Sequence, residues 1–188
     1  MIYLEQLQVW NRSVNLTSIT LAEEIIVKHF VDSLVGLSVG QIKPGASLLD
    51  IGTGAGFPGI PMKIARQDLS VTLIEPVHKK ISFLYSIVGI LRLEKVKIFY
   101  GTLEQFIAKN GSDSMFDYIT TRALKYHSIL QRGSRLLAAG GKAVIYSSCS
   151  INPLELEKIW SIDREYEFEL PRGFGHRAVS ILSALNGY

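Results

Sequence analysis

Between Leu48 and Pro61 the chain reads Leu-Leu-Asp-Ile-Gly-Thr-Gly-Ala-Gly-Phe-Pro-Gly-Ile-Pro. An apolar stretch of strand character runs into a loop with glycine at Gly52, Gly54 and Gly56, and a helix is predicted from about Pro58. Glycine allows positive φ and removes the Cβ that would keep the backbone away from a ligand. A helix behind such a loop offers free N–H groups and the positive end of its dipole. The segment Gly54-Ala55-Gly56-Phe57-Pro58-Gly59 satisfies G-x-G-x-x-G, a weak sign of dinucleotide binding when it stands alone. Its offset argues against that ligand. In the dinucleotide fingerprint the first glycine closes the strand directly, whereas here Asp50, Ile51, Gly52 and Thr53 come first. A carboxylate at Asp50 repels a pyrophosphate and attracts an ammonium or sulfonium group. The expected cofactor is therefore S-adenosylmethionine (AdoMet) rather than NAD.

Other polar residues fall where predicted strands end. Glu75 closes the second strand and is the candidate for the ribose hydroxyls of a nucleoside. Gly101-Thr102-Leu103-Glu104 follows the third strand, where a side chain can flank an adenine, and Thr121-Arg122-Ala123 follows the fourth, facing the transferred group. Lys28, Arg122, Arg172 and Arg177 are the cations expected to hold phosphate or stack on a base. His29 and Asp32 sit at a helical spacing that permits a hydrogen bond, whether functional or merely fold-stabilising, and His29 is not assigned a catalytic role. The four histidines, His29, His78, His127 and His176, are too far apart in sequence to suggest a metal site, so no metal is expected.

These residues need a scaffold that brings strand ends together. Leu4, Leu7 and Trp10 fit one helical stripe, and a second helix is predicted over Leu21–Val39, capped by Thr20 with Glu23 as its capping-box partner. Lys43-Pro44-Gly45 closes this part. From Ser47 the rhythm alternates: strand Ser47–Ile51, helix to about Arg66, strand Ser70–Ile74, helix His78–Leu91, strand Val96–Tyr100, short helix Leu103–Lys109, strand Phe116–Thr120, helix His127–Leu137. A turn at Ala139-Gly140-Gly141 leads to strand Lys142–Ser147, then a helix Pro153–Trp160. Strands Tyr166–Leu170 and Ala178–Leu185 close the chain. Alternation implies a parallel sheet covered on both faces, and two strands joined by a short loop imply one antiparallel neighbour. The expected class is α/β: a Rossmann-like, class I methyltransferase fold with a mostly parallel seven-stranded sheet, an antiparallel last strand and an N-terminal helical extension. The division is a helical extension over residues 1–45 and one compact cofactor-binding unit over 46–188.

Composition bounds the function. The 188 residues are 47% hydrophobic and 20% charged, with net charge +3, which fits one folded domain and excludes a disordered chain. A pI near 8.9 permits contact with nucleic acid without requiring it. No apolar run approaches the ~20 residues of a membrane span, Glu5 interrupts any secretory leader, and Cys149 is the only cysteine, so no intrachain disulfide forms. A cytoplasmic, membrane-free monomer is expected.

Three segments carry a resemblance: Asn15-Leu16-Thr17-Ser18, Lys28-His29-Phe30-Val31-Asp32-Ser33, and the loop from Asp50 to Pro61 with its Gly-Phe-Pro-Gly-Ile-Pro tail. With Gly101…Glu104-Gln105-Phe106, Thr121-Arg122-Ala123 and Gly175-His176-Arg177-Ala178-Val179, they resemble successive motifs of the RsmG (GidB) family over nearly the whole chain. The resemblance implies an AdoMet-dependent enzyme that methylates N7 of a guanine in 16S ribosomal RNA, free or within the small ribosomal subunit. Matching positions imply cofactor contacts at Gly52, Phe57, Leu103, Glu104 and Arg122; Gly54, Gly56 and Glu75 are added from the loop and strand pattern, and Arg122 is the candidate catalytic residue. Guanine N7 carries a lone pair and no hydrogen, so attack needs alignment rather than a general base, and none is evident in the sequence.

Two departures stand out. The first helix looks short for the family. The stretch after the fifth strand, Tyr146-Ser147-Ser148-Cys149-Ser150, is similar to a motif of RNA cytosine-5 methyltransferases, in which the cysteine attacks the pyrimidine. The Pro-Cys element of those enzymes is missing after the fourth strand, where Asp117-Tyr118-Ile119-Thr120-Thr121-Arg122 stands. Cytosine-5 transfer through Cys149, a nicotinamide dehydrogenase and a non-catalytic AdoMet-binding ribosome-assembly factor are the alternatives.

Overall fold

The central strands explain the architecture. In β1 (Ser47–Ile51), Leu48 and Leu49 are fully buried although they point to opposite faces, as expected of a parallel strand covered on both sides. The computed structural model describes residues 1–111, 115–122, 126–156 and 159–185. Seven strands form one sheet: β1, β2 (Ser70–Glu75), β3 (Val96–Tyr100), β4 (Phe116–Thr121), β5 (Leu137–Ser147), β6 (Trp160–Glu169) and β7 (His176–Ala184), in the order β3-β2-β1-β4-β5-β7-β6. β1 to β5 pair in parallel, and β7 runs antiparallel to both β5 and β6. The chain winds outward from β1 to β3 and then returns to β4, so β1 and β4 are neighbours at the switch point, where ligands of such sheets bind beyond the strands' carboxyl ends.

Alternation sorts the core into two layers. Leu48, Val144 and Ile181 belong to one cluster, and their chain neighbours Leu49, Ile145 and Leu182 to the other, the two-residue period of a pleated strand. The first layer includes residues of α1 (Ile2–Val14), α4 (Gly59–Ala65) and α5 (His78–Ile90); the second includes residues of α6 (Leu103–Asn110) and α7 (Tyr126–Gly133). Among the described residues no helix is long and apolar enough to cross a membrane.

The structure departs from the sequence expectation at several places. The helix expected over Pro153–Trp160 is a single 3₁₀ turn, Pro153–Glu155, and residues 157–158 of that span lie outside the described residues. Trp160 instead opens β6, paired with Ala184 and buried in the second layer. β5 begins at Leu137 rather than Lys142 because Ala139-Gly140-Gly141 is no turn. The register against β4 shifts between Phe116 and Tyr118, Gly140 has φ 73°, and a Cβ on Gly141 would lie 3.0 Å from the Phe116 carbonyl, so the glycines serve an irregularity within the strand. The second N-terminal helix is interrupted: α2 (Ala22–Ile25) passes through a π turn over Ile26–Val31 into α3 (Asp32–Val39). Thr20 does not cap it; Leu21 is at the cap without a side-chain bond, and Glu23 pairs with Arg172 instead.

Candidate active site

The glycine loop is built by the two strands beside it. The N–H groups of Gly52 and Thr53 donate to the Ile74 carbonyl at 2.9 and 3.1 Å. Gly54 N–H donates to Glu75 Oε2 at 2.9 Å, and Val77 N–H to Glu75 Oε1 at 2.9 Å. Glu75 therefore anchors the loop through one oxygen and its own strand exit through the other. Gly101 N–H donates to the Glu75 carbonyl at 3.1 Å, which draws the end of β3 into the same corner. Gly52 and Gly54 hold φ of 69° and 61°, and the place of each missing Cβ is open space. This is the face a ligand can approach.

Two expectations change here. Gly56 is buried, and a Cβ on it would lie 2.5 Å from Ile60 Cδ1 and 2.6 Å from the Tyr3 hydroxyl, so its glycine serves packing rather than ligand approach. Asp50 does not face a ligand. It is fully buried, accepting from Thr53 Oγ1 at 2.6 Å and from Gly59 N–H at 2.8 Å. It thereby takes the N–H at the start of α4 that was expected to serve the ligand, a negative group at the positive helix end. Burial pushes its carboxyl up to about 6, and its Oδ1 has no partner among the described residues.

Arg122 leaves the end of β4 and enters the N-terminal helices. Its Nη1 donates to the Lys28 carbonyl at 3.1 Å and to Asp32 Oδ2 at 3.3 Å, and its Nη2 meets His29 Nδ1 at 3.0 Å. The guanidinium carbon lies 5.3 Å from the centre of the Phe57 ring, a cation–π contact. The His29 ring stacks on Phe57 at 4.8 Å. Burial, and then Arg122, lower His29 to about 4. Burial raises Asp32, opposed by the same arginine. Tyr3 stacks on Phe57 at 5.3 Å and donates to the Ala55 carbonyl at 2.5 Å.

The expected RNA-facing cations meet along one rim. Lys28 pairs with Glu24 at 2.9 Å and lies 5.1 Å from the centre of the Phe174 ring in the β6–β7 loop. Arg172 of that loop pairs with Glu23. Arg177 donates to the His176 carbonyl at 2.7 Å and is close enough to act electrostatically on His29 and Asp32. Leu103 and Glu104 open α6; Leu103 is buried, and Glu104 pairs with Arg132 at 2.8 Å. They stand apart from the Arg122 cluster, beyond the corner that Gly101 shares with Glu75. Ala123 lies outside the described residues. Cys149 is exposed after β5. Among the described residues, no group of three or more His, Cys, Asp or Glu is placed to hold a metal ion.

Tyr3, Thr17 and Phe174 join the site without having been selected from the sequence. Thr17 alone left a trace, in the Asn15-Leu16-Thr17 motif.

The GidB family, rRNA small subunit methyltransferase G, matches residues 1–170. The ribosomal RNA small subunit methyltransferase G of Lachnoclostridium phytofermentans is 40% identical over 158 residues, covering 84% of this chain and 65% of that protein. That of Desulfitobacterium hafniense is 45% identical over 148 residues, covering 74% and 61%. The chain thus spans less than two thirds of the length of these relatives. Among solved structures, TrmN from Thermus thermophilus superposes with a TM-score of 0.66 at 17% identity, covering 81% of this chain and 48% of that one. The putative methyltransferase yhhF from Escherichia coli does so with 0.63 at 15%, covering 84% and 86%. At these identities the likeness concerns the class I methyltransferase fold alone. The match over residues 1–170 and the identities of 40% and 45% show that this chain belongs to the GidB family of small-subunit ribosomal RNA methyltransferases.

Proposed function

We propose that this protein transfers a methyl group from AdoMet to N7 of a guanine in 16S ribosomal RNA. The observation that carries the reading is the meeting, at the β1–β4 switch point, of an open glycine corner with a cationic rim. AdoMet supplies a methyl carbon already activated by its positive sulfur. The residues present fit it: Gly52 and Gly54 offer a backbone face without Cβ atoms, and Glu75, buried and already accepting from Gly54 and Val77 N–H, is the carboxylate beside them assigned to the ribose hydroxyls through its remaining lone pairs. Leu103 and Glu104 flank the adenine end, and Phe57 forms the buried floor beneath Arg122.

The protein's task is alignment. Guanine N7 attacks with its own lone pair, so no side chain has to remove a proton first. What remains is to hold base and methyl donor in line and exclude alternative poses, which can supply much of a rate enhancement. Arg122 is the group assigned to the reacting end. A guanidinium only donates hydrogen bonds, so its natural partners are a phosphate or the O6 acceptor beside N7 on the guanine edge. Lys28, Arg172 and Arg177 hold the RNA backbone around it. The substrate is the 16S RNA itself or the small subunit, and the protein acts as a cytoplasmic monomer without a metal.

Incubation with unmodified 16S RNA and AdoMet, followed by mass spectrometry of the digested RNA, should find one new N7-methylguanine. A methyl group on cytosine C5 instead, lost in Cys149→Ala, would establish the competing chemistry. No transfer of labelled methyl would leave a binding protein.

A further inference from the structure

Arg122 acts from a seat that the N-terminal segment provides, and the chemistry of that seat is restrictive. An arginine side chain has donors and no acceptor. At 3.0 Å from Arg122 Nη2, His29 Nδ1 must therefore accept. A neutral imidazole then carries its proton on Nε2, which lies 2.9 Å from Thr17 Oγ1. Thr17 is itself held from two sides: its N–H donates to Asn11 Oδ1 at 2.9 Å, and its carbonyl accepts from Asn11 Nδ2 at 2.9 Å. Its hydroxyl oxygen also accepts from Ile19 N–H at 3.1 Å. The two N-terminal motifs, Asn15-Leu16-Thr17 and Lys28-His29-Phe30-Val31-Asp32-Ser33, thus converge on one guanidinium.

We infer that His29 is a positioning residue for methyl transfer: the lone pair of its Nδ1 fixes the Arg122 guanidinium, and Thr17 fixes the ring's tautomer. This rests on the role given to Arg122 above. The other two acceptors of the guanidinium, the Lys28 carbonyl and Asp32 Oδ2, come from the same π turn and its exit. Phe57 underlies both the His29 ring and the guanidinium, so ring and charge share one floor. The ring is faced by Arg122 from the end of β4, Arg177 from β7 and Lys28 from its own turn, with Asp32 bound to the same guanidinium. A proton on Nδ1 would add positive charge among these cations and remove the acceptor. Burial together with Arg122 keeps the ring neutral down to about pH 4.

The test separates hydrogen bonding from packing. His29→Phe keeps an aromatic ring on Phe57 and removes the acceptor; His29→Asn gives up the ring and keeps an oxygen near the place of Nδ1. Methylation of unmodified 16S RNA should show kcat reduced about 10²-fold in His29→Phe, with KM for AdoMet little changed, and reduced less than about tenfold in His29→Asn. The opposite order of the two variants would overturn the proposal. A second measurement needs neither substrate nor variant: nitrogen NMR of the ¹⁵N-histidine-labelled protein at pH 7 should place the single ring proton of His29 on Nε2. A proton on Nδ1, or a doubly protonated ring, would also overturn it, even if His29→Phe fails to fold. If the wild-type protein methylates nothing, the functional reading fails on its own, and the ring measurement still decides how Arg122 is held.

Discussion

The glycine corner and the cationic rim lie on the same edge of the sheet but are made of different material. In the corner, backbone groups do the joining: Gly52 and Thr53 to Ile74, Gly54 and Val77 to Glu75, Gly59 to Asp50. On the rim, long side chains join half-exposed partners, as Lys28 does with Glu24 and Arg172 with Glu23. Backbone geometry is shared by every residue in a loop, so one wrong side chain displaces the whole corner. A rim cation can be removed with little disturbance beyond its own charge. Arg122 stands on the seam, with a rim-type side chain held as rigidly as the corner.

Changes at the seam should therefore have the largest effect. Arg122→Ala should lower kcat for methyl transfer by about 10²–10³-fold, the scale of losing a positioned donor, while the circular dichroism spectrum stays native. Full activity in that variant would remove Arg122 from the site. Within the corner, Gly56→Ala places a Cβ at φ 96° against Ile60 and the Tyr3 hydroxyl. It should cost about 1–3 kcal/mol of stability and weaken S-adenosylhomocysteine binding in calorimetry, and a neutral result would show that the corner yields more readily than its contacts suggest. On the rim, Lys28→Ala and Arg177→Ala should each weaken RNA binding and reduce the slope of log affinity against log salt by about 1. An unchanged slope would place the RNA elsewhere.

The smallest expected effect is a dependence on pH. His29 is depressed to about 4 from its ordinary 6.5, so its contribution to stability is complete above 6.5 and lost as pH falls towards 4. Asp50 is raised from 3.8 to about 6, so its contribution is complete below 3.8 and lost as pH rises through 6. The two slopes oppose each other across the same acidic window. The difference in Tm between wild type and His29→Asn should widen as pH rises from 4 to 6.5, because only the wild type gains stability from the ring there. A constant difference would mean that the ring does not stay neutral on folding.

Much of this was legible in the sequence, for identifiable reasons. β1 to β4 are short apolar runs between turn residues, and the glycine loop declares a backbone need, so sheet and corner could be read locally. β6 could not be read over its length, because Asp163, Arg164, Glu165, Glu167 and Glu169 crowd an edge strand on which Arg164 and Tyr166 are exposed as well, and charge concealed the period. The π turn leaves no mark in composition. The inward turn of Asp50 follows from the α4 terminus, which it satisfies, and a carboxylate at a strand end reads the same whether it serves a ligand or a helix. The contact of Arg122 with His29 joins residues 93 positions apart, and no local pattern encodes it. Cations in a sequence announce charge but not what orients it.

The three bonds that hold Arg122 run to acceptors at the N-terminal end of the chain, in a segment synthesised well before β4. During synthesis Arg122 can be seated only after the sheet has reached its fourth strand and the earlier helices have docked beside it. A chain whose helices have come loose would retain the strand ladder while the guanidinium swings without a fixed aim. Seating of this guanidinium is thus a later and more demanding achievement than folding of the sheet, and it reports on whether the first and middle thirds of the polypeptide have found each other.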